Sequence, residues 1–124
     1  NLNIEYNCLG IFSDELSQII AYNSSDILIC PSNIDNSPNV IAEALMCGLP
    51  CVALEGTGAS EMIEIGLSGF VTSKNNIHDL ANFISDFAID KFQFDNLQIS
   101  ESARKKYSID NTCNKYLELY KSIL

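Results

Sequence analysis

The chain has no tryptophan, one histidine, three prolines, and no lysine or arginine in its first 73 residues. Each scarcity removes a class of function. Seven Lys and Arg face sixteen Asp and Glu, a net charge of −9. A nucleic-acid partner requires a basic stripe that displaces condensed counterions, so nucleic acid is excluded as a partner. Attraction to an anionic membrane surface is disfavoured for the same reason. The lone histidine, His78, adjoins Asp79 with no Ser or Cys near it in sequence, whereas general-base work needs an oriented partner. Five cysteines occur without a Cys-x-x-Cys spacing, which argues against a zinc site or a redox pair, and no metal or other cofactor is expected. No apolar run approaches the roughly 20 residues of a membrane span. Neither a transmembrane segment nor a secretory leader is therefore expected.

What is present is ordinary globular chemistry: 47% hydrophobic and 19% charged residues in 124, enough for one domain or part of one. Four of the cysteines lie inside apolar runs such as Ile27–Cys30, where a thiol acts as a small hydrophobe. Buried, reduced thiols imply a cytoplasmic protein. The charge is lopsided. Residues 1–73 carry nine acids and no base, while the remainder holds seven of each. An anion bound by the first part must be held by amides and hydroxyls, or by cations from elsewhere. The first residue is not Met, and the chain is read as a piece of something longer.

Short apolar runs alternate with amphipathic stretches. Strands are expected over Ile4–Leu9, Asp26–Cys30, Cys51–Leu54 and Gly69–Thr72. Ser13 is the expected N-cap of a helix whose buried face is Leu16, Ile19 and Ile20. Ser37 as N-cap, competing for one first-turn amide, and Pro38 at the first helical position predict a helix to Cys47, ended by Gly48 and Pro50. Val40, Ile41, Ala44 and Leu45 form its buried face, and Asn39 and Glu43, four apart, its single polar stripe. Gly56–Gly58 is a tight loop before a short helix over Ser60–Ile65. Further helices are expected over Ile77–Ala88 and Asp95–Tyr107. A last one, capped by Ser108, carries Cys113, Tyr116, Leu117, Tyr120 and Leu124 on one side. Strands alternating with helices imply a parallel, Rossmann-like α/β sheet with helices on both faces. Ligands of such sheets bind beyond the carboxyl ends of the strands, here the loops Ser32–Ser37 and Glu55–Ala59. The amides of Asn39 and Val40 open a helix suited to an anion, and Gly58 lets backbone come close to a ligand. Taken alone, Asp35 equally fits a local Asx-turn, and Glu43 an exposed helix residue.

Ser25–Ser32, Asp35 and Glu43–Ala53 together, followed by Glu61–Val71 and Ser108–Tyr120, resemble the C-terminal, donor-binding domain of retaining GT-B glycosyltransferases of the group-one family. The resemblance covers nearly the whole chain. That family carries two acids separated by seven residues, matched here by Asp35 and Glu43. The resemblance implies that Glu43 holds the ribose of a nucleotide and Asp35 the donor sugar near the reacting carbon. It also implies that Asn36, Ser37, Asn39 and Val40 cradle the diphosphate, with Gly58 beside them. Two departures stand out: the first acid is usually Glu, and the usual glycine-rich turn is Asn36-Ser37-Pro38 here. The implied activity is sugar transfer from a nucleoside-diphosphate sugar to a glycan or lipid-linked acceptor, with retention. The expected location is the cytoplasm, or the inner membrane face for a full-length enzyme. By the same resemblance residues 1–124 form a donor-binding piece, inactive alone, lacking two strands and an N-terminal acceptor domain. Ile4–Leu9 must then leave a gap, pair beside Ile27–Cys30, or borrow strands from a neighbour, with exposed edges favouring self-association. Two other readings compete. A non-catalytic nucleotide-sugar-binding module would use the same residues. A receiver-like regulator needs an acid ending its strand, whereas Asp26 begins one.

Overall fold

The computed structural model describes residues 5–74 and 76–123. Its elements in order are α1 (Glu15–Asn23), β1 (Leu28–Cys30), α2 (Asn39–Met46), β2 (Cys51–Leu54), α3 (Gly58–Glu61), β3 (Gly69–Thr72), α4 (Ile77–Ala88), α5 (Asn96–Tyr107) and α6 (Ile109–Ile123). The strands form one parallel sheet in the order β1-β2-β3. This is the expected Rossmann-like α/β architecture, with three strands among the described residues in place of four. Ile4 lies outside the described residues, and Glu5–Leu9 are irregular and exposed. The re-pairing of that segment beside β1 is not observed. β1 is also shorter than expected. It pairs only with β2 among the described residues, and Ile29 on it is 37% exposed, so it is an edge strand and not a doubly covered one.

The register assigns each strand residue to a face. Val52 lies opposite Phe70, and Ala53 opposite Val71, so alternate residues of β2 and β3 point to opposite sides. Cys30, Cys51, Ala53 and Val71 pack with Ile41, Ala44 and Leu45 of α2 and with Ile99 and Ala103 of α5. On the other side Phe70 stacks on the buried Phe83 of α4, ring centroids 4.6 Å apart, with Phe92 against Phe83 at 4.9 Å. One face thus carries two layers of helix and the other a single aromatic-packed helix.

Helix α2 is fastened at its end. Gly48 (φ 82°) turns the chain out of the helix, and the Gly48 and Leu49 amides donate to Leu45 and Ala44 carbonyls at 2.9 Å. Ser100 Oγ donates to the Met46 carbonyl at 2.7 Å and Arg104 Nε to the same oxygen at 3.4 Å. These bonds satisfy a carbonyl that the helix itself cannot. A Cβ at residue 48 would stand 2.4 Å from the Asn96 carbonyl oxygen, so the start of α5 lies directly on this turn.

Several local expectations shift. The N-cap of α1 is Asp14, whose carboxylate accepts from Ser17 N at 2.8 Å, not Ser13. The expected buried face of α1 is exposed: Leu16, Ile19 and Ile20 stand 66%, 45% and 57% open. Among the described residues β1 is the sheet's edge, with no further strand for that stripe to cover, and α1 is joined to the fold through the bonds of Gln18 and Tyr22 to Glu43 of α2. α3 starts at Gly58, not Ser60, because Thr57 and Ser60 form a reciprocal capping box. Val40 is exposed and not part of the buried face of α2. Cys8 and Cys113 are exposed, while Cys30 and Cys51 are buried as expected, and all five thiols are free. α6 buries none of its residues up to Ile123; Leu124 lies outside the described residues.

Candidate functional site

Three parallel strands bring three loops to one end of the sheet, and the loops are stitched together. The Gly58 amide, at the start of α3 after β2, donates to the Asp35 carbonyl on the loop after β1 at 2.8 Å. Lys74, just after β3, donates through Nζ to the Asn33 carbonyl at 2.8 Å. Glu55 Oε1 accepts from Ser73 Oγ at 3.1 Å and from the Lys74 amide at 3.3 Å. Thr57 Oγ1, buried, donates to the Leu54 carbonyl at 2.7 Å and accepts from Ser60 N at 3.2 Å. Only glycine fits at position 58, since a Cβ there would lie 1.8 Å from the Asn36 carbonyl oxygen and 2.7 Å from that of Asp35. The structure therefore brings Asp35, Asn36 and Gly58 into one backbone contact, with Asn36 and Ser37 exposed and Asp35 half-buried.

The start of α2 differs from the sequence expectation in a way that bears on anions. Pro38, at extended ψ 124°, occupies the N-cap, and no side chain caps the helix. Ser37 is one residue too early to reach the first-turn amides, and its hydroxyl donates to Met62 Sδ at 3.7 Å. Ser37 is not the cap. Among the described residues the amides of Asn39 and Val40 have no acceptor. Two unused donors therefore open the helix, at the end where the helix dipole favours negative charge.

One turn further on, Glu43 is half-buried and turned toward α1. Its Oε2 accepts from Gln18 Nε2 at 2.7 Å and from Tyr22 Oη at 3.0 Å. It lines an open groove of about 510 Å³ with Gln18, Ile19, Tyr22, Met46, Cys47 and Arg104. Burial, first, and the neighbouring Glu43 raise the Tyr22 phenol above its ordinary value, against the opposing bond from Gln18. Burial likewise raises the Cys47 thiol, partly offset by Arg104. Asp35 does not line this groove. The candidates thus divide into a strand-end cluster (Asp35, Asn36, Gly58), a helix start (Asn39, Val40) and a groove residue (Glu43).

Five residues here are not among those the sequence singles out. Thr57 and Ser60 close a capping box with Ser where the usual signature has Glu or Gln, so the standard pattern does not flag it. Gln18 and Tyr22 are polar and four apart on α1, a shared stripe like that of Asn39 and Glu43. Lys74 is the first cation of the chain and stands two residues past the end of β3. His78 is exposed and holds no part of the site. Among the described residues no cluster of three or more His, Cys, Asp or Glu is arranged to hold a metal ion, and no helix is long and apolar enough to cross a membrane.

Comparison with known proteins adds the family. An uncharacterized glycosyltransferase of Haemophilus influenzae is 34% identical over 83% of this chain and 29% of its own length. A sulfoquinovosyl transferase of Arabidopsis thaliana is 36% identical over 53% of the chain and 13% of its own length. The N-acetyl-alpha-D-glucosaminyl L-malate synthase of Bacillus anthracis is 24% identical over 100% of the chain and 33% of its own length. The chain spans a third or less of each of these relatives. No solved structure matches it. The model of the glycosyl transferases group 1 family matches residues 2–106, and the chain belongs to that family.

Proposed function

We propose that this chain is the donor-binding part of a retaining, GT-B-type glycosyltransferase that takes its sugar from a nucleoside diphosphate. The observation that carries the proposal is the start of α2. Two amides without acceptors, Asn39 and Val40, follow the stitched loop of Asp35 in the chain and precede Glu43 of the groove. A sugar nucleotide needs that sequence of groups: a carboxylate for sugar hydroxyls, donors for the diphosphate, and a second carboxylate for ribose. In this reading Asp35 holds the sugar, Asn36, Ser37, Asn39 and Val40 hold the diphosphate beside Gly58, and Glu43 holds the ribose.

In the transfer the bond between the anomeric carbon and the diphosphate oxygen breaks. A new bond forms to an acceptor hydroxyl on the same face, and the departing diphosphate takes the hydroxyl proton. Catalysis then consists of positioning and of stabilising charge on the leaving group, which is what amides fixed on a helix start supply. The acceptor, a glycan or a lipid-linked glycan, belongs to parts of the enzyme outside this chain, and the setting is cytoplasmic. The relatives include a sulfoquinovosyl transferase and an N-acetyl-alpha-D-glucosaminyl L-malate synthase, and the donor sugar of this chain is read from experiment.

Calorimetric titration with uridine, guanosine and adenosine diphosphates tests the assignment. One of the three binds, and Glu43→Ala weakens it by about tenfold or more, the effect of removing a charged hydrogen-bond partner. Binding that survives Glu43→Ala unchanged removes Glu43 from the site.

A further inference from the structure

The carboxylate of Glu43 is held in an uneven way. Both donors that reach it, Gln18 Nε2 at 2.7 Å and Tyr22 Oη at 3.0 Å, converge on Oε2. Among the described residues Oε1 accepts no hydrogen bond. The two donors stand one helical turn apart on α1 and are themselves linked, with Gln18 Nε2 donating to Tyr22 Oη at 3.3 Å. That link has a directional consequence. A phenol has a single hydrogen, and a phenol oxygen already accepting from Gln18 directs its hydrogen to the carboxylate.

No cation shares the load. Arg104, which lines the same groove, is turned to the Met46 carbonyl. Among the described residues the one ion pair is Lys91 with Asp86. Glu43 therefore has only neutral partners: Gln18 and Tyr22 both donate to Oε2, and Oε1 is left without a donor on a residue that lines the groove. A flexible glutamate on a helix surface samples several rotamers, and fixing one beforehand removes that ordering cost from ligand binding.

We propose that Gln18 and Tyr22 are positioning residues for Glu43, fixing its carboxylate so that Oε1 receives the ribose hydroxyls of the nucleotide. The inference rests on the sugar-nucleotide reading above and adds α1 to the donor site. It differs from a merely structural role, in which the same bonds do no more than tie α1 to α2. A structural tie, once cut, lowers affinity for every nucleotide alike. A positioning role acts only through the ribose hydroxyls.

The test measures dissociation constants of the nucleoside diphosphate that binds, alongside its 2′-deoxy and 3′-deoxy forms. The proteins are the parent, Tyr22→Phe, the double variant Gln18→Met with Tyr22→Phe, and Glu43→Ala. The parent prefers the ribonucleotide by about tenfold or more, and Glu43→Ala erases the preference. Tyr22→Phe, which deletes one oxygen atom, cuts the preference by about threefold. The double variant brings it close to that of Glu43→Ala, while affinities for the deoxynucleotides stay within about twofold of the parent. Two results overturn the inference and leave the assignment of Glu43 intact: a preference unchanged in both α1 variants, or an equal loss for ribo- and deoxynucleotides. A parent that binds no nucleoside diphosphate, or binds one without ribose preference, overturns the site reading and this inference together. Circular dichroism checks that the double variant is folded; if it is not, Tyr22→Phe decides alone.

Discussion

Gly58→Ala isolates the contact on which the strand-end cluster depends. The new methyl group would lie 1.8 Å from the Asn36 carbonyl oxygen and 2.2 Å from its carbon, against the 3.4 Å at which ordinary contact begins. Every clashing atom is backbone, so no rotamer change relieves the overlap. The loop of Asp35 and Asn36 must move away from α3 by roughly one and a half ångströms, and in doing so it stretches the 2.8 Å bond from the Gly58 amide to Asp35. Forcing an extra carbon into a packed position costs about 1–3 kcal/mol and losing the bond about 1 kcal/mol, for a total of about 2–4 kcal/mol. In thermal unfolding this is a fall of roughly 10 °C for a domain of this size. Displacing Asp35 and Asn36 by more than an ångström also lowers any catalysis that uses them by on the order of a hundredfold. Gly56→Ala is the internal control, because Gly56 has a positive φ of 68° but open space around its Cβ position. Its cost is backbone strain alone, about 1–2 kcal/mol. Urea unfolding of the parent and both variants reads the difference. If Gly58→Ala is no more costly than Gly56→Ala, the two loops are not in the contact described, and the strand-end cluster is not a unit.

Two further outcomes follow from buried polar chemistry. Thr57→Val keeps the shape of the side chain but deletes the bonds to Leu54 O and from Ser60 N; it costs about 1–3 kcal/mol in urea unfolding, and a change under about 0.3 kcal/mol would mean that solvent replaces the cap without loss. The Cys51 thiol is pushed up from 9.0 to about 12, by burial first and then by Cys30. Because the folded value lies above the unfolded one, the associated stability is complete below pH 9 and is lost as pH rises from 9 to about 12. The loss reaches up to about 4 kcal/mol at about 1.4 kcal/mol per pH unit. Comparing the unfolding of the parent with Cys51→Ala across that range isolates it, and parallel pH profiles would refute it.

The regular core of the fold was legible because its signals were redundant. Cys51–Leu54 and Gly69–Thr72 are legible to the residue, since each combines an apolar run with a proline or glycine boundary, and Ile77–Ala88 through its helical apolar period alone. Asp95–Tyr107 was read with its cap included. The ends of helices were less legible where two residues could cap. Asp14 prevailed over Ser13, and Pro38 displaced Ser37, because the backbone entered each helix one residue later than the side-chain preference suggested. Burial of α1 and of Val40 was misjudged for a different reason. An apolar stripe records what a helix is able to cover, whereas actual burial depends on a neighbour, and β1 lies at the sheet's edge. Within the site, the sequence expectation assigned one of the amides of Asn39 and Val40 to Ser37 as cap, whereas the spacing of Asp35 and Glu43 could be read from the chain. The engagement of Glu43 by Gln18 and Tyr22 could not, because it joins residues 21 and 25 positions apart, beyond any local pattern.

The fastening of α2 by α5 also sets an order of events in time. Ser100 and Arg104 reach back 54 and 58 positions to the Met46 carbonyl, and Ile99 and Ala103 close the same apolar face. During synthesis the sheet and α2 leave the ribosome well before the residues that seal them. Domains fold as their chain emerges, and exposed apolar surface invites association in the interval. A nascent chain stopped short of α5 lacks Ile99 and Ala103, which belong to the same apolar cluster as Ile41, Leu45 and Cys51, and completion of this layer waits on α5.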